Sequence, residues 1–183
     1  GRMYESTGMR GESTLRVVDL PTGEALQRVD FAREYFAEGS VVFKDSLYVL
    51  TWQNKTAFIY EKDSLKLSSA WSYPREGWGI TTDGEFLIAS DGSSKLYFMD
   101  EHFSLKKKIF VKNDGKPVRW LNELEYIDGK IWANVYMTDT IVIIIFFNIE
   151  IFYTLIYSIY STSSNFGNSI HAITFSKCSS STV

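Results

Sequence analysis

Short runs of β-branched and aromatic residues alternate with polar turns along most of the chain, and the alternation repeats. Ile80 to Thr82, Phe86 to Ala89 and Leu96 to Met99 are separated by Thr82-Asp83-Gly84 and Asp91-Gly92-Ser93-Ser94. Asp and Gly accept the positive-φ conformations that tight hairpins need, so this stretch predicts three antiparallel strands. Leu47 to Glu61 overlays Phe86 to Asp100 without a gap at an offset of about 39 residues, and Ile131 to Ile143 follows about 45 residues later. A period near 40 built of short antiparallel strands is that of a propeller blade. The expected fold is an all-β propeller, incomplete here at about three to three and a half blades.

The same grammar runs on either side of that stretch. Tyr4 to Gly8, Ser13 to Leu20 and Glu24 to Val29 predict a blade whose innermost strand would lie upstream of Gly1. Val41 to Phe43, Leu47 to Trp52 and Thr56 to Tyr60 form a second unit, and Val118 to Ile127, Ile131 to Tyr136 and a strand from Thr140 a fourth. From Ile143 the sequence turns rich in Ile, Phe, Tyr and Ser, without Asp-Gly turns and without the period. A partial propeller over residues 1–143 and a hydrophobic, Ser-rich tail over 144–183, foreign to the fold and poorly ordered, are therefore expected. Asn148 and Glu150 interrupt the apolar run and no basic flank follows it, which argues against a membrane span.

Composition narrows the partners. A net charge of −3 and a pI near 5.5 give no electrostatic reason to expect nucleic acid. Lys106-Lys107-Lys108, between Leu105 and Ile109, reads as a solvated strand edge. The single cysteine, Cys178, excludes an internal disulfide and a cysteine-based metal site, and His102 and His171 lack ligand spacing. No metal and no cofactor are expected. No signal peptide is visible at Gly1 to Tyr4, while Asn54-Lys55-Thr56, at a hairpin tip, is a glycosylation acceptor and a mild pointer to secretion.

In a propeller the first strand of each blade lines the central channel, so equivalent positions in successive blades become neighbours. Those positions are Phe36-Ala37-Glu38-Gly39, Glu76-Gly77-Trp78-Gly79 and Leu121-Asn122-Glu123-Leu124. They predict convergence of a carboxyl (Glu38), an indole (Trp78) and an amide (Asn122), with Trp52 and Tyr136 at the channel mouth. A carboxyl ringed by aromatics is desolvated, its pKa rises, and it suits general acid–base work. Tryptophan also serves as filler between blades; a carboxylate between Phe36 and Gly39 is poor filler.

These motifs, together with Tyr4-Glu5-Ser6-Thr7-Gly8, Leu50-Thr51-Trp52, Ser90-Asp91-Gly92-Ser93-Ser94 and Ile131-Trp132-Ala133-Asn134-Val135, resemble the plant and bacterial type of glutaminyl-peptide cyclotransferase over about residues 3 to 143. The resemblance implies a five-bladed propeller that converts N-terminal glutamine of peptides or proteins to pyroglutamate with release of ammonia. It implies a monomer, a secretory or extracellular location, and neither nucleic acid nor membrane as partner. Glu38 matches the family's acid–base glutamate, Phe36 the aromatic beside it, Trp52 and Trp78 tryptophans of the pocket wall, and Asn122 its polar asparagine. Tyr136 stands where the family usually has another pocket tryptophan. The Phe-Thr-Gln-Gly motif of the first blade and a downstream pocket lysine have no counterpart. The other readings are a propeller used as an interaction platform and an inactive fragment of the cyclase.

Overall fold

The computed structural model describes residues 1–147, 151–158 and 170–175, and within them the chain forms antiparallel sheets and no helix. The first blade contains β1 (Arg2–Gly8), β2 (Thr14–Asp19) and β3 (Ala25–Asp30). The second contains β4 (Ala37–Phe43), β5 (Ser46–Thr51), β6 (Thr56–Glu61) and β7 (Leu67–Ser72), in spatial order. The third follows the same order with β8 (Ile80–Thr82), β9 (Leu87–Ala89), β10 (Lys95–Met99) and β11 (Leu105–Phe110). A small ribbon, β12 (Lys112–Asn113) with β13 (Lys116–Pro117), occupies the Asn-Asp-Gly-Lys-Pro segment. The fourth blade is β14 (Leu121–Ile127), β15 (Lys130–Val135), β16 (Thr140–Phe147) and β17 (Ile151–Ser158), and β18 (Ile170–Phe175) lies on the free edge of β1.

Strand pairing continues past the boundary expected at 143/144. β16 runs through to Phe147, and β17 pairs along its whole length, from Thr140 opposite Ser158 to Phe147 opposite Ile151. The inner edge of the first blade, expected to belong to a strand upstream of Gly1, is taken by β18, with Met3 opposite Phe175 and Gly8 opposite Ile170. The physical reason is that an open sheet edge presents unpaired N–H and C=O groups to any segment of high β-propensity, whether or not turn signals announce it. The rest of the 144–183 segment expected as a poorly ordered tail lies outside the described residues. No helix among the described residues is long and apolar enough to cross a membrane.

The hydrophobic cores lie between blades. Because side chains alternate across a strand, Leu47 and Val49 of β5 face the first blade, with Tyr4, Leu15 and Val17, whereas Tyr48 and Leu50 face the third, with Leu87, Ala89 and Met99. Leu96 and Phe98 of β10 pack in turn against Leu121, Leu124, Ile131 and Val142 of the fourth blade. Central strands thus bury both faces, which is why their sequence reads as nearly continuous apolar runs. The outer strands β3, β7 and β11 are mostly exposed, and Lys106 to Lys108 stand on β11 as solvated residues.

Towards the axis the inner strands approach backbone to backbone. Gly39 N–H donates to Trp78 O at 2.9 Å, and a Cβ on Gly79 would fall against Asn122 O and within 2.7 Å of Glu123 Cα. Those neighbours are main chain and cannot step aside, so only glycine fits. Gly79→Ala is expected to destabilise the fold by about 1–3 kcal/mol, the usual range for overpacking; a thermal melt indistinguishable from wild type would contradict the close approach.

Candidate active site

Two inner strands carry the same irregularity at the same place. Between Ala37 and Ser40 of β4, and between Leu121 and Leu124 of β14, the register slips against the neighbouring strand by one extra residue. A bulge re-aims the side chain it contains. The residues so placed are Glu38 and Asn122, which are 7 % and 6 % exposed. Ser90 Oγ donates to Asn122 O at 2.7 Å and Ser6 Oγ donates to Glu38 O, so each bulge is tied by a serine to the preceding blade.

Glu38 and Asn122 share one cavity of about 160 Å³ with Phe36, Trp52, Trp78 and Tyr136. These are the six residues that equivalent blade positions and the family resemblance single out. Phe36 meets Trp52 edge-on at 5.6 Å between ring centroids, and Tyr136 meets Trp78 edge-on at 5.4 Å. The space is small, bounded mainly by aromatic surface, and supplied with one carboxyl and one amide.

The wall's orientation rests on a residue to which the sequence pattern assigns no role. Glu76 Oε2 accepts hydrogen bonds from Trp52 Nε1 at 3.1 Å and from Trp78 Nε1 at 2.9 Å, so one carboxylate oxygen holds both indoles. The signal was present in Glu76-Gly77-Trp78-Gly79, but nothing local shows that the second indole arrives from another blade. Glu76→Ala leaves both indoles without their acceptor and is expected to weaken binding of a ligand in the cavity about tenfold, whereas Glu76→Gln, which keeps an acceptor oxygen, should retain most of it. Equal affinities for the two variants in a titration would contradict this role. Trp120 is a second such residue: it is 52 % exposed, has φ of 63°, and its ring lies tilted against Trp78 with 6.1 Å between ring centroids.

Electrostatically the centre is unusual. Burial pushes the Glu38 carboxyl up to about 8, and among the described residues no side chain donates a hydrogen bond to it. Glu123, beside Asn122, is raised well above the ordinary carboxyl range, first by burial and then by the charge of Glu38. Burial also lifts Glu125, to about 7. A carboxyl near 8 can hold and release a proton close to neutrality. Among the described residues no group of three or more His, Cys, Asp or Glu side chains is placed to hold a metal ion. Asn54, the candidate glycan acceptor, is exposed; its amide donates to Glu34 O at 2.7 Å and accepts from Phe36 N–H at 3.3 Å.

An incomplete propeller that gathers a raised carboxyl, an amide and a cage of aromatic rings at one opening has the parts of an acid–base site for a small group. The sequence model of the family described as glutamine cyclotransferase matches residues 1–153. A glutaminyl-peptide cyclotransferase of Arabidopsis thaliana is 41% identical over 143 residues, covering 76% of this chain and 44% of that protein. The crystal structure of Myxococcus xanthus glutaminyl cyclase aligns with a TM-score of 0.70 at 29% identity, covering 76% of this chain and 60% of that one. The β-propeller domain of Myceliophteria thermophila Cps50 (Swd1) aligns with a TM-score of 0.57 at 10% identity over 85% of this chain and 54% of its own, a likeness of fold alone. The chain belongs to the glutamine cyclotransferase family. It spans less than half the length of the curated relative it matches.

Proposed function

We propose that this chain carries the catalytic mouth of a glutaminyl-peptide cyclotransferase, which converts N-terminal glutamine of peptides to pyroglutamate and ammonia. The observation that supports this most is the buried Glu38 carboxyl, raised to about 8, in one cavity with Trp52, Trp78 and Asn122.

The chemistry follows from the substrate. Its α-amine, with an ordinary pKa of about 7.7–8.0, is available as the free base near neutrality. The cavity walls hold that amine against the side-chain amide carbon of the same residue, and orientation lowers the barrier. The amine nitrogen attacks the amide carbon, and Asn122 is suited to donate to the oxygen that becomes negative. Glu38 accepts the proton that the attacking nitrogen sheds and gives it to the departing amide nitrogen. The carbon–nitrogen bond to that group breaks, ammonia leaves, and the carbonyl re-forms in the five-membered lactam. Trp52, Trp78, Phe36 and Tyr136 pack on the methylenes and exclude water. No cofactor enters the balance.

The reading places the protein in the transferase class, acting as a monomer on peptides or proteins with N-terminal glutamine, in the secretory pathway or outside the cell. A glycan on Asn54 belongs to the same picture and is checked by a glycosidase-sensitive mass shift on protein from a secreting host. The 183-residue chain alone is expected to turn over little, because the cavity lacks walls that further blades would supply. The test is ammonia release from a glutamine-initiated peptide by a chain with the missing blades restored. Release above the spontaneous background supports the enzyme; none, with the peptide bound, supports an interaction platform instead.

A further inference from the structure

A second, larger cavity of about 430 Å³ adjoins the first and shares Phe36 and Trp52 with it. Its other walls include Arg10, Arg33, Glu34, Gln53 and Asn54. The Arg10 guanidinium carbon stands 5.5 Å from the Trp52 ring centroid, over the indole that also walls the small cavity. Arg33 lies against the turn that carries Arg10, since a Cβ on Gly11 would be 3.6 Å from Arg33 Nε. Neither guanidinium has an ion-pair partner among the described residues. The two cations come from different connections, the β1–β2 turn and the link between β3 and β4, yet face one groove in a chain of net charge −3. Glu34 offsets one of them, leaving the walls net cationic.

We infer that this groove receives the residues that follow the N-terminal glutamine, and that Arg10 and Arg33 select peptides with carboxylate side chains there. The inference rests on the cyclase reading for the occupant of the small cavity. Continuity supports it: Trp52 and Phe36 form the partition between the cavities, so a chain leaving the small cavity over Trp52 enters the groove. Extended chain advances roughly 3.3 Å per residue, which brings the second and third residues after glutamine to the guanidinium over Trp52. Carboxylates there meet two guanidinium forks able to take them in bidentate pairs. The glutamine amide has one small cavity to itself, so discrimination among substrates falls to the groove.

The test is binding of product peptides to the 183-residue chain made in a host that does not glycosylate Asn54, read by tryptophan fluorescence. The probes are amidated pyroglutamyl peptides carrying either Ala-Asp-Asp or Ala-Lys-Lys after the lactam; neither can be turned over. The acidic peptide is expected to bind about three- to tenfold more tightly at low ionic strength, as suits two exposed pairs, with the preference falling below about twofold at about 0.5 M salt. Arg10→Ala with Arg33→Ala should abolish the preference, and the double lysine variant, which keeps both charges, should retain part of it. Equal binding of the two peptides by wild type, or a preference that survives the double alanine variant, would overturn the assignment. Ammonia release from glutamine amide, which cannot reach the groove, by the chain with its missing blades restored reports on the cyclase reading separately.

Discussion

Glu38→Gln, in a chain with its missing blades restored, is expected to lose cyclisation of glutamine-initiated peptides by about two to four orders of magnitude while folding and binding them normally. Glutamine is nearly isosteric, so the cavity bounded by Phe36, Trp52, Trp78, Asn122 and Tyr136 keeps its shape. What it cannot do is accept a proton from one nitrogen and deliver it to the other. The loss should therefore fall on kcat, with KM little changed, because the contacts that hold the ground state are retained. A variant with wild-type kcat would move the acid–base role to another group. Glu123, whose buried carboxyl feels the charge of Glu38, would be next in line.

The same substitution is expected to stabilise the protein in alkali. Glu38 keeps its proton in the folded chain up to about 8, whereas in the unfolded chain it loses it near its ordinary 4.5. Between those values the folded state binds more protons than the unfolded one, so stability declines as pH rises. The Glu38 contribution is fully present below about pH 4.5 and gone above about 8, a difference of about 5 kcal/mol at 1.36 kcal/mol per pH unit. Glu38→Gln removes that dependence. Urea denaturation should find the variant more stable than wild type by several kcal/mol near pH 9, roughly up to that full difference, and within about 1 kcal/mol of it near pH 4. Parallel pH profiles for the two proteins would show that Glu38 ionises in the fold as it does in water. A cost of this size at the centre of a propeller is what a functional carboxyl, rather than a structural one, is expected to carry.

The blades and the converging residues were legible because both depend on local signals repeated at a fixed spacing. Asp-Gly turns and period-2 alternation announce each hairpin, and the repeat turns equal positions into neighbours, which places Glu38, Trp78 and Asn122 together. Glu76 was not legible in its role, since its bond to Trp52 joins residues of different blades. Nor was Trp120, whose approach to Trp78 depends on a left-handed backbone conformation at a residue that does not advertise it. β7 carries Leu67-Ser68-Ser69-Ala70-Trp71-Ser72, almost wholly exposed, so it has no apolar face for a pattern to reveal. β17 and β18 were missed for the opposite reason: their runs lack turn signals, and pairing is decided by the edges they meet.

Glu38 is matched to its proton-accepting and proton-returning role only if the cavity raises its carboxyl into the range where a peptide's amine is free. That rise is tested most directly by following the carboxyl carbons of 13C-labelled glutamate in the 183-residue chain through a pH titration, with Glu38→Gln as the difference control. A resonance with a midpoint at about 8 that is absent from the variant is expected. A Glu38 midpoint near the ordinary 4.5 would contradict it, because so weak a base would hold poorly the proton that it must take from the attacking amine before passing it to departing ammonia.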